Sequence, residues 1–206
     1  MSDLHQALAD ISNIRLQLAA GTMFRGFGPM VIASTGVMAF ATAIVQVLLF
    51  DPVHDAVTFV AVWTALAIVC AALIGFEMVA RTKRHHGGLA DAMLFGAVEH
   101  FLPVGAAGAV VCAILLRLAP DAAWLLPGLW QLLIGVALFV ALRFLPRPIS
   151  IAAAWYFLAG ATVLIVSAQS RALSPWAMGI PFGIGQLLMA GLLHVASGGK
   201  NGDARQ

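Results

Sequence analysis

The chain has 206 residues, of which 62% are hydrophobic and only 10% are charged, and its formal net charge is +2. Soluble domains are about half apolar and about a quarter charged, so this composition argues against a soluble fold and indicates a protein embedded in lipid. The small net charge argues against a nucleic-acid partner.

The first 21 residues predict an amphipathic helix. Leu4, Leu8, Ile11 and Leu18 recur at helical intervals, which places them on one face. Such a helix lies on the cytoplasmic membrane surface or docks onto a cytosolic partner, and we favour the interfacial position.

Six apolar runs follow, each long enough to cross about 30 Å of hydrocarbon as a helix. They cover Gly26–Phe50, Ala56–Phe76, Ala92–Leu116, Ala122–Leu142, Ile149–Ser170 and Ala172–Gly199. The sequence therefore predicts an all-α, polytopic membrane bundle. Its parts are an interfacial helix at 1–21, a six-helix transmembrane domain at 22–199 and a cytoplasmic tail at 200–206.

Basic residues predict the orientation of the bundle, because short cytoplasmic segments carry an excess of lysine and arginine. Arg117 and Arg171 alone fall on one side. The other side receives Arg15, Arg25, Arg81, Lys83, Arg84, Arg143, Arg147, Lys200 and Arg205. Both termini are therefore expected in the cytoplasm.

Each of the two cysteines, Cys70 and Cys112, lies in an apolar run. Neither belongs to a Cys-x-x-Cys motif or a Cys/His cluster, so we expect two small buried side chains rather than a disulfide or a zinc site.

The fourth and sixth helices share a signature. "PGLWQLLIG" (127–135) and "PFGIGQLLMA" (181–190) each hold a proline and then Gly-x-x-Gln-Leu-Leu-x-(Gly/Ala). Two small residues and a glutamine thus share one helical face in each: Gly128, Gln131 and Gly135, and Gly183, Gln186 and Ala190. Helices 3–4 and 5–6 could be repeated hairpins. The faces are either packing seams joined by glutamine hydrogen bonds, or two surfaces that face each other and line a small polar cavity.

The outer end of the sixth helix, "SPWAMGIPFGIG" (174–185), combines prolines with glycines. Such breakers at membrane depth predict a bent or discontinuous helix, because freed backbone groups must be satisfied by protein or by water in a cavity. Transporters use helices of this kind in their binding sites.

Four ionisable residues are predicted in the inner half of the membrane: Glu77, Glu99, His100 and His194. A charge near the bilayer centre costs about 3 kcal/mol, so we expect Glu99 to face the bundle interior. It could be a structural clamp hydrogen-bonded to a glutamine, part of a proton- or cation-coupled site, or close to a metal. Glu77 could simply extend toward nearby basic side chains.

A haem held by two histidines requires both at similar depth on facing helices, and only His100 and His194 lie within spans. We expect no cofactor and assign no metal ligands, while haem or metal stays an alternative. No hydrolase, nucleotide-binding or metalloprotease motif is present, so we expect a protein without enzymatic activity.

The stretches "ALSPWAMGIPFGIGQLL" (172–188), "WLLPGLWQLL" (124–133) and "FRGFGP" (24–29) resemble a family of small bacterial six-helix integral membrane proteins of unassigned function. The resemblance covers nearly the whole chain. It implies the six-helix architecture and a location in a bacterial cytoplasmic (inner) membrane, and it carries no activity or site residues.

The first functional hypothesis is a small-solute or proton/cation-coupled permease. Its polar site would lie between helices 3, 4 and 6 and use Glu99, His100, Gln131, Gln186, His194 and Glu77. One alternative is a membrane sensor or assembly subunit that binds a partner, and another is a haem- or quinone-linked redox subunit. Besides lipid, the expected partners are a small molecule or ion, a second copy of the chain or another membrane subunit.

Overall fold

A computed structural model describes residues 28–49, 55–85, 90–142, 145 and 147–203. Within them the chain forms six α-helices and no strand, which confirms the all-α prediction. The helices are α1 Pro29–Leu49, α2 Ala56–His85, α3 Ala90–Leu118, α4 Leu126–Ala141, α5 Ile149–Ser170 and α6 Pro175–Asp203. A 3₁₀ turn, Pro120–Leu125, precedes α4. Six helical segments are long and apolar enough to cross a membrane, as predicted. The interfacial helix predicted at 1–21 lies outside the described residues.

The helix α5 has the bounds of its apolar run, whereas α2, α3 and α6 continue beyond theirs. These three have 29 or 30 residues and are therefore about 45 Å long, more than a 30 Å hydrocarbon layer requires. Part of the tail predicted at 200–206 belongs to α6, which runs to Asp203. We call the end of the bundle where α1, α3 and α5 begin the proximal end, and the opposite end the distal end.

The helices contact one another in chain order, and α6 closes the ring by packing against α1. The two closest pairs are α4–α5 and α6–α1, and α6 also contacts α4 across the ring. Coverage is uneven as a result. In the spans of α4 and α6, 44% of the residues are buried, against 11% in the span of α3.

The largest apolar cluster lies where α2 meets α1, α3, α4 and α6. Its buried members include Phe59, Trp63 and Leu66 of α2, together with Leu126 and Met178. Both cysteines, which are unpaired, belong to the same cluster and are buried, which confirms the prediction for them.

The sixth helix is continuous from Pro175 to Asp203, with Pro181 inside it, so of the two predicted forms, bent or discontinuous, the discontinuous one is wrong. A proline lacks the N–H that would bond the carbonyl four residues earlier, here that of Ala177. Around this point the carbonyl groups of α6 accept hydrogen bonds from neighbouring helices, described below. Hydrogen-bond donors from neighbouring helices therefore lie near Pro181, and the helix does not break there.

Candidate functional site

The small-residue face of α4 packs against α5. A Cβ atom added to Gly128 would lie 2.9 Å from the carbonyl oxygen of Gly160, and one added to Gly160 would lie 2.8 Å from the carbonyl oxygen of Gly128. Farther along, a Cβ on Gly135 would lie 2.9 Å from the backbone nitrogen of Phe157. The two backbones are therefore in direct contact, and only glycine fits at these positions.

The corresponding face of α6 packs against α1. A Cβ on Gly36 would lie 2.9 Å from the carbonyl oxygen of Gly183, and a Cβ on Gly179 would lie 2.6 Å from the Cβ of Ala43. Of the two interpretations that the sequence left open, the one in which the α4 and α6 faces meet and line one cavity is therefore wrong. Each face is occupied by a different helix that carries its own glycine, so the faces are packing seams.

Gln131 joins α4 to α6. Its side chain is fully buried, and its Nε2 atom donates to the carbonyl oxygen of Met178 at 3.5 Å and lies 3.6 Å from the Met178 sulfur. A backbone carbonyl can only accept, so the amide nitrogen is fixed toward α6. The Gln131 Oε1 atom has no hydrogen-bond partner in the described structure.

Gln186 joins α6 to α5 through Tyr156. The buried Tyr156 hydroxyl donates to the carbonyl oxygen of Phe182 at 3.3 Å and also hydrogen-bonds the Gln186 side chain. Because the hydroxyl proton is used, the Gln186 amide must donate to the hydroxyl oxygen. Trp155 adds a second bond from α5, from its Nε1 to the carbonyl oxygen of Pro181 at 2.9 Å.

A third buried amide links α1 to α2. The Nε1 of Trp63 donates to the Oε1 of Gln46 at 2.7 Å, and Gln46 is 1% exposed. Sequence reasoning missed Gln46, Trp63 and Tyr156 as polar positions of the bundle. The sequence did contain a signal for Gln46. It is the only amide side chain in its uncharged span, and such an amide usually forms a hydrogen bond to a neighbouring helix.

The ionisable residues lie apart from these glutamines. Glu99 and His194 are exposed and Glu77 is half-buried, while the side chain of His100 lies outside the described part. The prediction that Glu99 faces the interior between α3, α4 and α6 is therefore wrong. Counted from the distal ends of their helices, Glu99 and His194 lie about 28 Å away and Glu77 about 32 Å. A 30 Å layer that began at the distal ends would therefore end near these residues, where contact with water lowers the cost of a charge.

The stretch of α3 from 98 to 107 is largely uncovered. Between 98 and 107 the described side chains are exposed on every side of the helix except for Val104, which is half-buried. A Cβ on Gly105 would meet no atom within 4 Å. The distal half is held, because Cys112 is buried and the Nε1 of Trp130 donates to the carbonyl oxygen of Gly108 at 3.2 Å.

An open groove of about 360 Å³ lies beside the proximal part of α6. Its lining is apolar: Pro148, Leu187, Leu188, Gly191, Leu192, Val195 and Ala196. These side chains supply neither acid–base groups nor ligands for a metal.

Within the residues that can be described, no three histidine, cysteine or acidic side chains are grouped as a metal site would require. The arrangement supplies interhelical clamps at Gln46, Gln131 and Gln186. In addition, α3 is largely uncovered between 98 and 107. Comparison of the chain with family models, with curated proteins and with solved structures gave no match.

Proposed function

We propose that this protein is a non-catalytic assembly subunit of a membrane complex, and that it binds a transmembrane helix of another subunit along α3. The observation that carries the proposal is the exposure of every described residue of α3 between 98 and 107 except Val104, which is half-buried. Small residues such as Gly105 and Ala106 lie in this stretch, and small residues let helix backbones approach in lipid.

Two hydrogen-bond acceptors that lie close together on α3 indicate the chemistry of the partner helix. Glu99 carries an exposed carboxyl group. Pro103, four residues later inside α3, lacks the N–H that would bond the backbone carbonyl of Glu99. A lysine or arginine near the matching end of the partner helix would pair with the carboxylate and donate to the carbonyl. The partner proposed is therefore a transmembrane helix with a basic residue at the depth of Glu99.

The geometry favours the assembly role over the permease hypothesis. It required Glu99, Gln131 and Gln186 around one polar space, whereas Glu99 is exposed and both glutamines hydrogen-bond neighbouring helices. As part of the proposal, the proximal end lies in the cytoplasm of a bacterium, because the predicted loops at that end carry most of the basic residues. The partner's basic residue would then lie near the cytoplasmic membrane surface.

Photo-crosslinking in native membranes tests the proposal. A photoreactive amino acid replaces Ala106 on α3, and in a control chain it replaces Ile165, which is 72% exposed on α5. We expect Ala106 to yield one protein adduct that mass spectrometry identifies as a different membrane protein with a basic residue near the end of a spanning helix. Glu99→Lys should remove that adduct, and Ile165 should give none.

Three outcomes would overturn the proposal. Ala106 could give only lipid adducts, its adduct could persist unchanged in Glu99→Lys, or the adduct could be a second copy of this chain. A melting temperature of Glu99→Lys equal to that of the wild type excludes misfolding as the cause of a lost adduct.

A further inference from the structure

The α3–α4 hairpin is repeated, without gaps, as the α5–α6 hairpin. The segment 97–141 matches 152–196 at a constant offset of 55 positions, the distance from Pro120 to Pro175. The residues that are identical at this offset are Ala97, Gly105, Ala106, Val111, Ala113, Leu118, Pro120, Ala122, Gly128, Gln131, Leu132, Leu133, Leu138, Val140 and Ala141. The repeat pairs Gly105 of α3 with Gly160 of α5.

Gly160 of α5 packs against two residues of the α4 signature. A Cβ on Gly160 would meet the carbonyl oxygen of Gly128 at 2.8 Å and the Cγ of Leu132 at 3.0 Å. These belong to the Gly-x-x-Gln-Leu signature of α4, which runs antiparallel to α5. The glycine of one helix is thus covered by the glycine carbonyl and the leucine of the other.

The α6–α1 pair repeats this geometry. A Cβ on Gly36 would meet the carbonyl oxygen of Gly183 at 2.9 Å and the Cγ of Leu187 at 3.4 Å, which are the same two positions of the signature. Two independent pairs in one chain therefore follow a single rule: a glycine on a helix that begins at the proximal end is covered by a Gly-x-x-Gln-Leu helix that runs the opposite way.

Gly105 is the third such glycine, and it is uncovered. It lies 13 residues from the end of α3, as Gly36 does from the end of α1. The preceding helix α2 has no Gly-x-x-Gln-Leu sequence. Both helices of this chain that carry the signature are already occupied, α4 by Gly160 and α6 by Gly36.

We infer that the partner helix carries a Gly-x-x-Gln-Leu face, or a close variant with another small residue first, and packs antiparallel to α3 over Gly105. This inference rests on the proposed function and adds the sequence class and the direction of the partner helix. In that complex the third seam has the backbone contact that α4–α5 and α6–α1 already show.

A peptide of residues 174–197, flanked by lysines, serves as the probe because it contains the signature of α6. Energy transfer in lipid bilayers measures its binding to the full chain, with the donor dye near the distal end of α3. We expect binding that Gly105→Leu weakens by about tenfold or more, because a side chain at the seam keeps the backbones apart. Gly191→Leu, at another glycine whose Cβ would meet no atom within 4 Å, should leave binding unchanged. A peptide with Gly183→Leu should bind as weakly as the wild-type peptide binds the Gly105→Leu chain.

Equal binding by the wild type and the Gly105→Leu chain would overturn the inference, as would equal binding of the two peptides. The crosslink from Ala106 separates this failure from failure of the proposed function. An adduct that is lost in Glu99→Lys but retained in Gly105→Leu leaves the assembly role in place and removes the glycine seam. The Gly105→Leu chain should melt like the wild type, because its new side chain enters open space.

Discussion

Gly160 and Gly128 hold α4 and α5 in backbone contact, since a methyl group on Gly160 would lie 2.8 Å from the carbonyl oxygen of Gly128. Gly160→Ala should therefore force the helices apart and destabilise the bundle by about 1–3 kcal/mol. The measurement is unfolding in detergent, by heat or denaturant.

Gly191→Ala is the matched control, because a Cβ at Gly191 would meet no atom within 4 Å. There the higher helix propensity of alanine should leave stability unchanged or raise it by up to about 1 kcal/mol. Equal melting temperatures for Gly160→Ala and Gly191→Ala would contradict the packing described for α4 and α5.

The hydrogen bond from Trp63 to Gln46 ties α2 to α1 at 2.7 Å. Trp63→Phe keeps an aromatic ring and removes the donor, leaving the Gln46 oxygen unpaired at a buried site. A double-mutant cycle with Gln46→Leu should give a coupling energy of about 1 kcal/mol, since buried amides in membrane bundles contribute amounts of this order. Additive effects of the two substitutions would show that the bond contributes nothing to stability.

The spans could be predicted from sequence because the requirement for about 20 apolar residues is local to each helix. The α5 prediction, Ile149–Ser170, matches the structure for that reason. The burial of Gln131 and Gln186 could also be predicted from the sequence, because an amide side chain in a span is costly when it is exposed to lipid. The two faces were correctly expected to pack closely, because small residues permit it.

Sequence could not specify which helix each face contacts. Gly128 and Gly183 carry the same signature, yet they meet α5 and α1, and nothing local to the signature names those partners. Glu99 was misplaced for a different reason. Charge cost predicts an inward side chain only at membrane depth, and the apolar span of α3 in the structure, Phe101–Leu118, does not include Glu99.

Asp55 caps the first turn of α2, outside the membrane-spanning segments. Its Oδ1 accepts the backbone N–H of Thr58 at 2.9 Å, and its Oδ2 accepts the Thr58 hydroxyl. These bonds, the hydroxyl first, hold the pKa of Asp55 below its ordinary value of 3.8. The carboxylate therefore stabilises the folded state above the ordinary pKa, and this contribution is lost as the pH falls through the lowered pKa.

Asp55→Asn should accordingly lower the melting temperature at neutral pH, because an amide cannot supply the negative charge at the helix start. The gap between the wild type and Asp55→Asn should narrow as the pH falls below 3.8. Melting curves recorded from neutral pH to strongly acidic pH measure the gap. A gap that stays constant over the whole range would contradict a stabilising carboxylate.

Arg171 ends α5 in the left-handed conformation, with φ of 48°, and its backbone N–H donates to the carbonyl oxygen of Ser167 at 2.8 Å. A side chain in this region costs about 1–2 kcal/mol, a cost that glycine avoids. Arg171→Gly should therefore be more stable than Arg171→Ala by about 1 kcal/mol. Comparing these two variants cancels the loss of the guanidinium group, so the difference in their unfolding free energies reports the backbone alone. Should Arg171→Ala be as stable as Arg171→Gly, or more so, the left-handed turn between α5 and α6 would not be the conformation that the chain adopts there.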